Sequence, residues 1–265
     1  MAPQWCMDTL LEAIRDNLNA QENGWEAHPF SVSWYNASVS TPFKLPHYPE
    51  TPAVLILSAP TMFDKVFLPW LREAEAKEKS GSDMDPLDSC MTEVASRLIQ
   101  ASLSILKASL ELPAEALHDF QLWPNRRPKI LMGTAGHVSG AAYYYQLGID
   151  LPQHLWPNSK AMGLSLHPLY GGWFAFRFVL LFPGLRLPSP LQTRPPKDLL
   201  GQDLSQEKRL QRVKEALELF NFHWKDWRYR DVIPVLQAYS ETQKTYFALP
   251  PSERSAFVRQ IVKQL

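Results

Sequence analysis

WPNRRPKILMGTAGHVSGAAYYYQ, Trp123 to Gln146, is the stretch on which the reading of this 265-residue chain turns. It joins a basic turn, a run of small residues holding one histidine, and three consecutive tyrosines. Gly133, Ala135, Gly136, Ser139, Gly140, Ala141 and Ala142 leave almost no side-chain bulk. The sequence therefore predicts a strand near 128–140 whose bare backbone something large approaches closely. Tyr143, Tyr144 and Tyr145 follow as flat surfaces with hydroxyl tips. This pairing suits a wide, planar ligand better than a small polar substrate.

Working outward, Leu10, Leu11, Ile14 and Leu18 predict an amphipathic first helix. Phe30, Val32 and Trp34 alternate with Ser31, Ser33 and Tyr35, the pattern of a half-buried strand, and the apolar run Ala53 to Leu57 suits a central one. A helix is expected from Thr61, kinked or split by Pro69. Asp85 and Pro86 open a stronger helix carried by Leu87, Met91, Val94, Leu98, Ala101 and Ile105. Further sheet is expected near 117–122, 160–167 and 173–182. Leu210, Val213, Leu217 and Phe220 predict a helix at about 204–220, Ser240 with Gln243 a capping box, and Ser252 a last cap. Prolines between 183 and 196 read as an irregular connector. The order predicts an α+β fold, a mostly antiparallel sheet flanked by helices.

Charge is balanced, 27 basic against 27 acidic residues, so no long-range field favours nucleic acid or an anionic membrane. The RRPK run at Arg126 to Lys129 fits a solvated turn as well as an anion site. Only Cys6 and Cys90 are present, which argues for a reducing compartment and against a disulfide framework. The N-terminus has no basic segment followed by an apolar one, and no apolar run approaches the roughly 20 residues of a membrane helix. A cytoplasmic location is the expectation.

Arg177 is the sharpest single residue. Its strand, WFAFRFVLLF (Trp173 to Phe182), is otherwise apolar, so a guanidinium is drawn toward a buried region. It must meet a carboxylate, a backbone cluster or an anionic ligand. A structural ion pair and a ligand contact both remain open. His137 has no carboxylate or serine in nucleophile spacing, and its readings are a satisfied core or rim histidine and a ligand contact.

PNRRPKIL (Pro124 to Leu131), Gly136-His137-Val138 and Ala141 to Gln146 carry a resemblance to the CblC (MMACHC) family of intracellular cobalamin-processing proteins. HPLYGGWFAFR (His167 to Arg177), FNFHWKDWRYRD (Phe220 to Asp231) and YSETQKTYFALPPSER (Tyr239 to Arg254) extend it over most of residues 25–255. The resemblance implies one domain over 1–265 with a flavin-reductase or nitroreductase-like core to about 200 and a helical cap over about 201–265. It implies corrin contacts at Asp119, Ile130, Leu131, Met132, Gly133, His137, Tyr144, Tyr145, Gln146, Gly163, Ser165 and Phe176. Met132 is bulkier than the family residue, and Ser165 stands where the family has cysteine. Arg177, Arg230 and Arg254 fall where the family binds glutathione, whose two carboxylates suit arginine forks.

No DxHxxG motif is present, since LHPLYG at Leu166 to Gly171 lacks the aspartate, so the resemblance implies base-off cobalamin with no protein ligand to cobalt. It implies loss of cyanide with reduced FMN or FAD, and transfer of an alkyl group to glutathione, without a catalytic acid–base pair. It also implies a CblD-like trafficking partner, methionine synthase downstream and a ligand-induced homodimer. The competing readings are an FMN-dependent nitroreductase-like oxidoreductase and a non-catalytic cobalamin chaperone.

Overall fold

The computed structural model describes residues 6–76, 85–105, 113–157, 160–187, 191 and 195–264. Four antiparallel strands, β1 (Trp25–Ser31), β2 (Pro52–Ser58), β3 (Glu115–His118) and β6 (Ala175–Leu181), form a sheet in the order β1-β2-β6-β3. All seven residues of β2 are buried, as expected of an apolar run with both faces covered. Alternation along β2 and β6 divides the core in two. Val54, Ile56, Phe178 and Leu180 face α1 (Met7–Leu18) and α5 (Pro86–Ile105). Ala53, Leu55, Leu57, Val179 and Leu181 pack on the other side with Phe30, Tyr35 and Ala135.

A two-stranded ribbon, β4 (Tyr143–Tyr145) against β5 (Leu164–Leu166), lies beside the sheet and is covered by α7 (Gln206–Phe222). Tyr145, Leu164, Leu166, Val213 and Leu217 form the apolar core between them. Two short helices, α2 (Ala20–Asn23) and α3 (Val32–Ala37), flank β1. α4 (Leu68–Ala76) follows a π turn at Phe63–Phe67, so the backbone is re-spaced just before Pro69, where an ordinary hydrogen bond is lost. The chain ends in α8 (Glu241–Ala248) and α9 (Pro251–Gln264). These dock on the π turn through the Phe63–Tyr246 ring pair at 5.4 Å and the Ser240–Asp64 hydrogen bond at 3.1 Å. Among the described residues no helix is long and apolar enough to cross a membrane. Cys6 and Cys90 are free thiols.

Two of the three caps that the sequence predicts form. Asp85 Oδ1 accepts from the Leu87 amide at 2.9 Å, and Ser240 Oγ accepts from the Gln243 amide at 3.3 Å. The capping box is only half made, because the buried Gln243 Oε1 has no partner among the described residues. Ser252 lies inside α9, which begins at Pro251, and is not its cap. The expected strand near 30–35 is also corrected: β1 ends at Ser31 and the chain turns into α3, where Tyr35 is fully buried. Within the proline-rich connector, 188–190 and 192–194 lie outside the described residues.

The larger correction concerns 128–140. Residues Met132–Val138 form a helix, α6, and not a strand. Glycine disfavours helix, but tertiary packing outweighs that propensity here. Gly133 and Gly136, one turn apart, let Tyr144 and Phe176 of the same chain lie against the helix backbone. What approaches the bare backbone is first of all the protein's own rings. A Cβ at Gly136 would overlap the Phe176 ring. Gly136→Ala is therefore expected to destabilise the fold by about 1–3 kcal/mol through overpacking. On an open helix the same change would stabilise by up to about 1 kcal/mol. Urea denaturation midpoints distinguish the two signs.

Candidate functional site

The triple tyrosine acts through strand alternation. Tyr143 and Tyr145 point to one side of β4, where their hydroxyls donate to Asp150 Oδ1 and Asp198 Oδ1, each at 2.8 Å. Arg209 of α7 bridges the same two carboxylates, with Nη2 to Asp150 at 2.8 Å and Nε to Asp198 at 2.5 Å. Burial by itself would lower the arginine's pKa and raise that of Asp198. The ion pairs and hydrogen bonds prevail, so Arg209 is raised and Asp198 lowered. Tyr144 points the other way. Its ring lies between two glycines: a Cβ at Gly133 would stand 2.8 Å from Cε2, and one at Gly163 2.6 Å from Cζ.

A cavity of about 280 Å³ opens over that ring. Gly133, Tyr144, Gly163, Ser165, Phe176 and Arg230, all expected from the sequence, line it together with Leu164, Gly172, Phe174, Ala175, Phe220 and Tyr229. The Gly171-Gly172 turn allows Arg230 its place. Gly171 has φ +55°, Gly172 donates its amide to the Arg230 carbonyl at 3.0 Å, and a Cβ on Gly172 would stand 2.8 Å from Arg230 Cα. Arg230 donates to the Gly172 carbonyl and has Trp173, Trp227, Tyr229 and Tyr239 around its guanidinium at 5.0–5.4 Å. Its Nε is buried without a partner among the described residues.

His137 holds α6 to β4. Its Nδ1 accepts the Tyr144 amide at 3.2 Å, and its ring meets Tyr143 edge-on at 5.0 Å. Desolvation lowers its pKa, which keeps the imidazole neutral. His167 is buried, with Nδ1 accepting from the Leu169 amide and Nε2 on Glu26 Oε2, both at 3.2 Å. Burial would raise Glu26, but hydrogen bonds from His167 and His28 hold it near 2. Both histidines are engaged in structure.

Other expected residues stand further off. Ile130 is buried in the core, with Leu131 and Met132 half-buried against it. Tyr145 is fully buried and presents no ring to the cavity. Gln146 organises a turn, its amide donating to Asp150 Oδ2 at 2.9 Å.

Arg177 sits at a β-bulge, between the Phe176–Leu57 and Phe178–Ile56 pairs, and is 5 % exposed. Its charge acts on Asp88 and Cys90 of α5 and on Asp119, whose backbone amide donates to the Arg177 carbonyl at 3.1 Å. Nε donates to Ser58 Oγ at 2.7 Å, and Nη2 is buried with no partner among the described residues. No carboxylate among the described residues lies within ion-pair distance of it. Desolvation raises the Asp119 pKa, with Arg177 pulling the other way. Arg254 pairs with Asp85 Oδ2 at 2.9 Å and lies over Tyr246 and Phe247. The three arginines thus have separate polar partners. Tyr239 and Phe247, rings 5.6 Å apart, connect Arg230 to Arg254, while Arg177 and Arg254 both act on Asp88.

The residues missed from sequence are Phe174, Phe220 and Tyr229 on the cavity and the Asp150–Arg209–Asp198 bridge behind it. Phe220 and Tyr229 lie in the FNFHWKDWRYRD block and Phe174 in HPLYGGWFAFR, blocks that the sequence offered only as carriers of the family resemblance. The bridge had no sequence signal, because its members are far apart in the chain.

Burial pushes Asp88 up to about 7, reinforced by Asp85 and Asp119. A carboxyl raised from its unfolded value of about 4 stabilises fully below that pH, and the contribution is lost as pH rises through about 7. Asp88→Asn is therefore expected to raise Tm at pH 8 and to change it little at pH 4, read from paired thermal melts. Arg209→Met leaves two carboxylates facing each other, with Asp150 buried. It should cost about 3 kcal/mol or more in urea unfolding, because breaking a buried pair strands its partner.

The sequence model of the methylmalonic aciduria and homocystinuria type C family, MMACHC, matches residues 24–258. The cyanocobalamin reductase / alkylcobalamin dealkylase of Gallus gallus is 43% identical over 231 residues, covering 87% of this chain and 89% of its own. The Homo sapiens protein of the same name is 42% identical over 235 residues, covering 89% and 76%. A crystal structure of the C. elegans B12-trafficking protein CblC, a homologue of human MMACHC, superposes with a TM-score of 0.82 at 36% identity over 97% of both chains. With this much of its length matched, and with the tyrosine ribbon and helix α6 both inside the matched region, the chain belongs to the MMACHC family.

Proposed function

We propose that this protein is a cobalamin-processing enzyme that removes the upper axial ligand of cyano- and alkylcobalamins. The observation that carries this is the match over residues 24–258 to a family whose relatives are named cyanocobalamin reductase / alkylcobalamin dealkylase. The cavity is consistent with it. At about 280 Å³ it is smaller than a corrinoid and takes in only part of one. Tyr144, Phe174 and Phe176 supply aromatic surface, and Ser165 a small polar tip.

Cobalamin binds base-off, with no protein atom replacing the lower nitrogen. The engagement of His137 Nδ1 and of both His167 nitrogens in internal hydrogen bonds supports this. Loss of that donor withdraws electron density from cobalt and favours its lower oxidation states. In dealkylation the glutathione thiolate attacks the alkyl carbon. The carbon–cobalt electron pair stays on cobalt, giving Co(I) and a thioether. Reduced FMN or FAD supplies the electrons for loss of cyanide. The protein contributes positioning and the exclusion of water, and no acid–base pair is needed.

Arg230 on the cavity and Arg177 behind it each keep a buried nitrogen without a partner among the described residues, the state expected of groups that wait for carboxylates. Asp119, Ile130, Leu131, Met132, Tyr145 and Gln146 complete the proposed corrin-binding segments, the buried ones through backbone and packing. We place the fold with flavin reductases and nitroreductases, the core ending near 200 and the helical cap near 201–265 holding Arg230 and Arg254. In the cytoplasm the product passes to a CblD-like partner and on to methionine synthase, with a homodimer formed on ligand binding.

The test is anaerobic visible spectroscopy of the protein with methylcobalamin, before and after glutathione. A base-off shift followed by conversion to Co(I) or Co(II) is the expected result. A shift without conversion by thiol or reduced flavin makes the protein a chaperone. Copurification with yellow flavin and no shift makes it a nitroreductase-like oxidoreductase. Arg177→Ala, in a preparation that keeps its cooperative unfolding, should lose dealkylation while retaining the base-off shift.

A further inference from the structure

The end of α7 meets the cavity twice. Phe220 lines it directly and packs on Tyr229 at a ring distance of 4.9 Å. Asn221, the next residue, points instead at the segment leading into β5. Its Oδ1 accepts the Met162 amide at 2.8 Å, and its Nδ2 donates to the Met162 carbonyl at 3.0 Å. The same Nδ2 donates to the Leu217 carbonyl of its own helix at 2.8 Å, which fixes the side-chain rotamer. One amide thus satisfies both backbone groups of Met162, as a neighbouring strand would. The Met162 side chain is left 63 % exposed, so packing of that side chain does not hold the segment in place.

The residue after Met162 gives the clamp its consequence. Gly163 lies against the Tyr144 ring so closely that a Cβ there would stand 2.7 Å from the tyrosine oxygen. Gly133 of α6 closes the ring's other side. Tyr144 makes no side-chain hydrogen bond among the described residues, unlike Tyr143 and Tyr145, and both glycines lie against its ring. We infer that Asn221 is a positioning residue for the corrin-binding surface, holding Gly163 against Tyr144 and thereby setting the floor of the cavity. Aspartate keeps the acceptor but cannot donate to the Met162 carbonyl, and leucine, similar in volume, does neither. A segment released at Met162 lets the Tyr144 ring rotate into the space the ligand needs.

This rests on the cobalamin reading, and the experiment separates the two. The full chain is titrated with methylcobalamin in the dark, and Kd is taken from the base-off absorbance change. Wild type, Asn221→Leu, Asn221→Asp, Gly163→Ala and Tyr144→Ala are compared, with Asn221→Leu also made on the Tyr144→Ala background. Asn221→Leu should raise Kd about five- to tenfold, the scale of losing two solvent-exposed hydrogen bonds. Asn221→Asp should fall between it and wild type. Gly163→Ala, which crowds the same ring without touching Asn221, should raise Kd similarly. On the Tyr144→Ala background Asn221→Leu should add little, since the ring it positions is gone.

An unchanged Kd in Asn221→Leu, or an effect that adds in full on the Tyr144→Ala background, overturns the inference while leaving the cobalamin reading in place. A lower Tm with unchanged Kd would likewise reduce Asn221 to a purely structural residue. If wild type itself gives no base-off change, the cobalamin reading fails, and this inference with it.

Discussion

The Arg209 guanidinium, held between Asp150 and Asp198, is the contact on which the geometry of the cavity depends. Neither carboxylate belongs to the helix that carries the arginine, and the two outer tyrosines of β4 donate to the same pair. Once Tyr143 and Tyr145 are committed to that side, strand pleating leaves Tyr144 no choice but the opposite one. The same ion pairs fix α7 against the ribbon, and its last turn then brings Phe220 and Asn221 to the cavity. Such bridges add little net stability against an apolar alternative, yet they are costly to break because each partner would be left desolvated. The bridge therefore acts more on register than on stability.

A second constraint is the bulge at Arg177. A regular strand would alternate Arg177 away from both Phe176 and Phe178. The extra residue lets Phe176 line the cavity while Phe178 enters the core beneath α1 and α5. The guanidinium is received by Ser58 and by the field of Asp88 and Asp119, without a direct ion pair among the described residues. A buried cation held so loosely conflicts with stability alone, and functional sites are where such conflicts are found. Arg230 repeats the theme in another form, surrounded by four aromatic rings with one nitrogen unpartnered among the described residues.

Much of the fold was legible in order. The apolar run at 53–57 is the doubly covered central strand, and the heptad-like spacing of Leu87 to Leu98 is the buried face of α5. Asp85 and Ser240 cap where their chemistry says they should. The family was legible too, because blocks such as PNRRPKIL and AAYYYQ are long enough to be specific. The small-residue stretch was read correctly as a place of close approach and incorrectly as a strand. Glycine and alanine lack the side chains that betray a period, so a helix and a strand look alike there.

What the sequence by itself determined were the features set by neighbours within a few residues: periodicity, caps, the split before Pro69 and the crowding of aromatic and glycine residues around 133–176. Only the tertiary structure decided that Gly133 and Gly163 enclose Tyr144, and that Arg209 joins Asp150 to Asp198. It likewise decided that Arg177 donates to Ser58, Arg230 to the Gly172 carbonyl and Arg254 to Asp85. The reason is physical. A contact between residues tens of positions apart depends on where whole elements pack, and one apolar face can be covered by several partners. Which polar groups then meet is settled by the burial that excludes water from all but one arrangement.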